Sequence, residues 1–142
     1  MNVSKALKEI FKQDFSCLTE NIYLKDSFGR TLSKPIAINK SIPKFDTSSM
    51  DGFAVRKSSL GKIGKFTVLG ETPAGARSSY TIKPDECVKV YTGSKMPENA
   101  DFVVIQENTW SQGNFMYVND YDKKNSYVRK TGLDFWKGLI IS

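Results

Sequence analysis

Ile42-Pro43-Lys44-Phe45-Asp46-Thr47-Ser48-Ser49-Met50-Asp51-Gly52-Phe53-Ala54-Val55 is the stretch from which the rest of the chain is read. Pro43 fixes its own φ and biases the residues before it toward extended geometry. Asp46, Thr47, Ser48 and Ser49 then set short polar side chains in succession. Such side chains hydrogen-bond nearby backbone and favour a turn over helix or ladder. Asp51-Gly52 reads as a tight-turn pair in which Gly52 takes a positive φ. Phe53-Ala54-Val55 opens an apolar run and reads as a strand. The expectation is a polar loop with an acidic tip, clamped between Phe45 and Phe53. On these residues alone Asp51 has two readings: a turn-stabilising aspartate, or a carboxylate presented to a ligand.

A second stretch, Val88-Lys89-Val90-Tyr91-Thr92-Gly93-Ser94-Lys95-Met96-Pro97-Glu98-Asn99-Ala100-Asp101-Phe102-Val103-Val104-Ile105-Gln106-Glu107, reads as strand, small-residue loop, strand. Successive amides at Thr92, Gly93 and Ser94, with the two hydroxyls, suit an anion-binding concavity. An ordinary turn is the alternative. Together the two stretches resemble the molybdopterin molybdotransferases, the family of bacterial MoeA and the E domain of gephyrin. That family writes the first roughly as Pro-x-Phe-Asp-x-Ser-x-Met-Asp-Gly-Tyr/Phe-Ala-Val. It writes the second as Thr-Gly-x-x-x-Pro-x-x-Ala-Asp-x-Val-Val-x-x-Glu.

Composition narrows the classes. The chain has 142 residues, 39% hydrophobic and 25% charged, which fits a globular fold able to bury a core. No apolar run reaches the roughly 20 residues that span a bilayer. The N-terminus lacks the apolar segment of a signal peptide, so a cytoplasmic location is the default. There is no histidine, which excludes Ser-His-Asp and Cys-His catalysis and histidine-ligated metals. Cys17 and Cys87 read as reduced, partly buried thiols. The formal charge of +6 is spread along the chain. A solvated basic surface is therefore favoured over a nucleic-acid stripe, and neither a nucleic-acid nor a membrane partner is expected.

The rest of the chain follows from period and punctuation. Apolar residues at 3, 6, 7, 10, 11 and 15 predict an amphipathic helix over Val3–Phe15, with Ser4 as N-cap. Short strands are predicted at Ile22–Leu24, Ile36–Asn39, Phe66–Leu69, Cys87–Tyr91, Phe102–Gln106, Phe115–Val118, Tyr127–Arg129 and Leu139–Ile141. Phe102–Gln106 should be the most buried. Phe115–Val118 is the expected hairpin partner of Val103–Glu107. Trp110 and Trp136 read as core or interface residues, and Asp101 as a loop cap. The fold class is mostly β with an N-terminal α-helix (α+β).

The resemblance adds expectations of its own. It implies a protruding β-rich module over 46–129, built of short coiled sheets. A linking region would be formed by 1–45 and the return segment 130–142. It implies that the family's chains continue into a large pterin-binding α/β domain and a C-terminal domain. The active site would then lie between subunits of a homodimer, with this region as one wall and inactive alone. The family's reaction inserts molybdate into adenylylated molybdopterin and releases AMP, assisted by Mg2+. By resemblance Asp51, Thr92 and Asp134 are catalytic, with Asp51 a possible metal ligand. Ser49, Gly93, Ser94, Arg129 and Lys130 are substrate-binding, Arg129 offsetting negative charge. Arg129-Lys130-Thr131-Gly132-Leu133-Asp134 departs from the family's Arg-Arg-x-Gly-x-Asp at Lys130, which keeps charge but loses the guanidinium fork, and Leu133 replaces an acidic residue. A molybdopterin adenylyltransferase is a possible partner. A non-catalytic dimerisation or partner-docking module is the alternative function.

Overall fold

Phe53 and Val55 join one buried cluster and Ala54, between them, joins another. That alternation follows from the period of two along a strand, and here both faces are covered. The neighbouring strands repeat it: Cys87, Phe102 and Val104 lie with Phe53, whereas Val88, Val90 and Val103 lie with Ala54. Double-sided burial is why these strands read as continuous apolar runs. The structure is a computed structural model that describes residues 2–13, 17–76 and 80–142.

The described chain divides into two compact units, Met1–Ile36 with Ser142, and Ala37–Ile141. The first holds helix α1 (Val3–Phe11). Its N-cap is Asn2, whose side-chain oxygen accepts from the Lys5 amide at 2.9 Å, so the cap lies two residues before the expected Ser4. The helix ends at Phe11, earlier than its apolar spacing suggested, and Phe15 lies outside the described residues. Ile22–Leu24 is not a strand; Leu24–Asp26 forms a single 3-10 turn instead. Arg30 pairs with Glu20.

The strands are β1 (Ile36–Ala37), β2 (Thr47–Ser48), β3 (Gly52–Val55), β4 (Lys65–Thr72), β5 (Glu86–Val90), β6 (Phe102–Ile105), β7 (Thr109–Gln112), β8 (Phe115–Val118), β9 (Val128–Arg129) and β10 (Ile140–Ile141). A six-stranded sheet runs in the order β6-β3-β5-β4-β8-β7. Its pairs are antiparallel except β4 with β5. The two outer strands, β6 and β7, are consecutive in the chain and joined by one 3-10 turn, Gln106–Asn108. So short a link holds the sheet's two edges close together, and the sheet must curl. Phe66, Phe102 and Met116 fill the concave side and are fully buried. Cys87 is buried among them, and burial pushes its thiol up to about 12, which leaves it inert; Cys17 is exposed.

Two sequence expectations change here. Phe115–Val118 pairs with β7 and β4, not with β6, because Thr109–Gln112 forms a strand of its own and takes the hairpin. Trp110 and Trp136 are largely exposed rather than core, with Trp110 stacked on Tyr117 at 4.0 Å. Asp101 does cap, accepting from the Lys57 amide at 2.6 Å. Among the described residues no helix is long and apolar enough to cross a membrane.

Gly52 is a glycine for a different reason than its turn position suggested. It does not take a positive φ; it is the first residue of β3, pairing Val90 on one side and Ile105 on the other. A Cβ there would collide with the Val104 carbonyl oxygen. The Gly52→Ala protein is therefore expected to lose about 3 kcal/mol of stability, since the colliding atom is backbone of the paired strand β6 and not the end of a flexible side chain. Urea unfolding of the two proteins measures it; equal midpoints would contradict the packing described.

Candidate functional site

The 46–51 segment is the middle of three strips of chain. On one side it meets the loop after β5: the Ser48 amide donates to Ser94 O at 3.0 Å, the Gly93 amide to Ser48 O at 2.9 Å, and the Met96 amide to Asp46 O at 2.9 Å. On the other side β2 pairs with β9, Thr47 opposite Arg129 and Ser48 opposite Val128. The buried Ser48 hydroxyl donates to Met50 O at 2.5 Å and tightens the bend that leads to Asp51.

Each end of the segment carries an aspartate that grips a neighbouring loop. Asp51 Oδ1 accepts from the Thr92 amide at 2.8 Å and from the Thr92 hydroxyl at 3.0 Å. Asp46 Oδ1 accepts from the Thr131 amide at 2.9 Å and hydroxyl at 3.1 Å, while Asp46 Oδ2 takes Lys130 Nζ at 2.7 Å. Both threonines precede a glycine at positive φ, Gly93 at 86° and Gly132 at 75°. A left-handed residue there turns the chain so that the preceding amide and hydroxyl face one oxygen.

The electrostatics follow. The Thr92 amide, then its hydroxyl, hold the exposed Asp51 carboxyl below its ordinary 3.8, with the Lys89 charge adding to them. For Asp46, partial burial pushes the carboxyl up, but Lys130 and the two Thr131 donors outweigh it and the net direction is down. Among the described residues no donor reaches Asp51 Oδ2.

The sequence-derived site residues fall into two sets. Asp51 and Thr92 lie side by side and exposed, in direct hydrogen bond. Arg129 and Asp134 lie together on the opposite flank, one guanidinium nitrogen reaching both carboxylate oxygens at 2.6 and 2.7 Å. The others are engaged within the chain. The Ser49 amide and hydroxyl both donate to Tyr127 O. Ser94 is fully buried and its hydroxyl donates to Thr72 O at 2.6 Å. The amides of Thr92, Gly93 and Ser94 all have partners in the chain, so the loop presents no open row of N–H groups to an anion.

Sequence reasoning passed over Asp46, Thr131 and Lys89. The repeated Thr-Gly at 92–93 and 131–132 was the available signal for the first two.

Similarity to known proteins fits this arrangement. The family model described as the MoeA N-terminal region (domain I and II) matches residues 1–142. A molybdopterin molybdenumtransferase of a Nostoc species is 33% identical over 78% of this chain and 27% of its own. That of Bacillus subtilis is 33% identical over 87% of this chain and 31% of its own. A solved molybdopterin biosynthesis MoeA protein from Pyrococcus horikoshii superposes with a TM-score of 0.77 at 29% identity, over 87% of this chain and 34% of that one. The curled, mostly β fold is that of the MoeA N-terminal region, and the chain belongs to the MoeA family. It spans between a quarter and a third of the length of these two relatives.

Lowered carboxyls contribute stability above the ordinary carboxylate range, and that contribution is lost as pH falls through their folded values below 3.8. Asp46→Asn is expected to cost about 1 kcal/mol at pH 7, allowing for solvent screening, and to flatten the acid limb of the stability curve. Thermal unfolding between pH 7 and 2.5 checks both; an unchanged acid limb would contradict the Asp46 contacts.

Proposed function

We propose that this chain is the part of a molybdenum-cofactor biosynthesis transferase that presents Asp51 and Thr92 to a substrate held by the rest of the enzyme. The observation that carries the reading is the exposed Asp51–Thr92 pair, with one carboxylate oxygen held in place and the other left without a donor among the described residues. A carboxylate fixed at one oxygen points the second at a definite place without rotation, which is what a positioning role at a reacting phosphoanhydride requires. The reaction is that of the family: molybdate enters adenylylated molybdopterin and AMP leaves.

Magnesium fits the donor set in a limited way. Among the described residues no group of acidic side chains could enclose a cation, but magnesium is commonly held by one or two carboxylates together with substrate phosphates. Asp51 Oδ2 is the oxygen this chain would contribute, and the ion, when bound, would neutralise phosphate charge. Thr92 keeps Asp51 ionised and oriented. Asp134 holds Arg129, so Asp134 acts through Arg129 rather than at the reacting atoms. The enzyme works as a cytoplasmic homodimer, the site completed by the pterin-binding domain of the other subunit; contact with a molybdopterin adenylyltransferase would deliver the adenylylated substrate.

A second reading, a partner-docking module, draws support from α1, whose Val3, Leu7, Ile10 and Phe11 are all exposed. Sizing by light scattering separates a self-associating module from a monomeric wall.

In the full-length protein, Asp51→Asn keeps shape and removes the charge. It is expected to abolish molybdoenzyme maturation in a complementation assay while the protein remains folded. Normal maturation would remove Asp51 from the mechanism.

A further inference from the structure

The cations that the sequence offered for an anionic substrate are already matched. Arg129 is held by both oxygens of Asp134, and Lys130 by Asp46. Lys89 is different. It lies on β5, paired with Phe53 of β3, and is half-buried. Its ammonium is 5.5 Å from the centre of the Tyr91 ring. Tyr91 is itself anchored, its hydroxyl donating to Glu71 at 2.7 Å. Lys89 is close enough to Asp51 for its charge to act on that carboxyl. Yet among the described residues no carboxylate oxygen lies within 4.0 Å of it.

Lys89 also faces a hollow. Two adjoining cavities of about 300 and 470 Å³ share Phe53, Lys89 and Ser111 as walls. The smaller is closed on one side by Trp110, which its stack on Tyr117 holds at a 7° interplanar angle. Gln106 also lines it. A slot between Phe53 and a fixed indole accepts a flat body, and an ammonium without an ion-pair partner suits an oxyanion on that body. Asp51 Oδ1 is already engaged by the two Thr92 donors.

We propose that Lys89 is the substrate-binding cation of this face: its ammonium holds the phosphate of a phosphate ester whose flat ring lies in the Phe53–Trp110 slot. This rests on the reading of the Asp51 rim as substrate-facing. It assigns the anion contact to β5, not to the 129–134 loop.

Amide-resolved NMR titration of the 142-residue chain tests it. The probes are AMP, adenosine and inorganic phosphate. AMP is expected to move the amides of Phe53, Lys89 and Ser111 and the indole of Trp110. Adenosine and phosphate should each bind about tenfold more weakly or less. Lys89→Gln should lose about tenfold in AMP affinity, and Lys89→Arg, which keeps the charge, should recover most of it. Trp110→Ala, at an exposed position, should weaken AMP and leave phosphate unchanged. Shifts confined to residues 127–134, or Lys89→Gln binding AMP as tightly as the parent, would overturn the assignment. Phosphate binding as well as AMP would overturn the ring slot. If Asp51→Asn supports maturation while AMP still maps to Lys89, the proposed reaction fails and the subsite stands. The reverse pattern removes the subsite alone.

Discussion

One carboxylate oxygen accepting an amide and a hydroxyl from the same threonine is the contact on which this arrangement depends, and the chain makes it twice. Asp51 holds Thr92 and Asp46 holds Thr131. The two aspartates stand at either end of one short segment, so loops far apart in sequence are tied to a common middle. Ordinary ladder hydrogen bonds at Ser48 fill in between. Charge-assisted bonds of this kind are stronger than neutral ones and define direction as well as distance. The loop carrying Asp51 is thereby held without being buried, which keeps its carboxylate exposed to whatever approaches it.

The sheet beneath supplies the rigidity that such loops need. The strand that follows Asp51 begins at Gly52, where the β6 backbone approaches too closely for any side chain. Asp51 is therefore attached directly to the central part of a curled sheet whose β3, β5 and β6 bury apolar residues on both faces. Loops on a doubly buried scaffold can carry function while the scaffold carries stability. The curl has a second consequence: it brings β7, with Trp110, opposite Phe53 and Lys89 and opens the slot beside the site.

Much of this was legible in the residues. Gly52–Val55 and Phe102–Ile105 announced themselves as strands, because apolar side chains on both faces leave no polar alternation to confuse them. The two motifs identified the family before any geometry was known. What was not legible depended on pairing. Phe115–Val118 looked like a partner for β6, since nothing in Thr109–Gln112, a mostly polar exposed strand, marked it as the nearer one. The Thr92–Ser94 loop looked like an open anion nest because its small residues carry no sign of where their amides point. The role of Gly52 depended on a strand fifty residues away. Arg129 and Lys130 looked like free cations because their carboxylate partners, Asp134 and Asp46, are chosen by the fold, and Lys89 passed unremarked as one strand residue among several.

The measurement closest to the centre of this account is the pH titration of the Thr92 and Thr131 amide proton shifts. If each amide is bonded to its aspartate, both signals move together with carboxyl protonation, and both midpoints fall below the ordinary carboxyl value of 3.8. Flat titration curves, or midpoints at or above that value, would mean that the two aspartates do not hold the loops and that the site is not built this way.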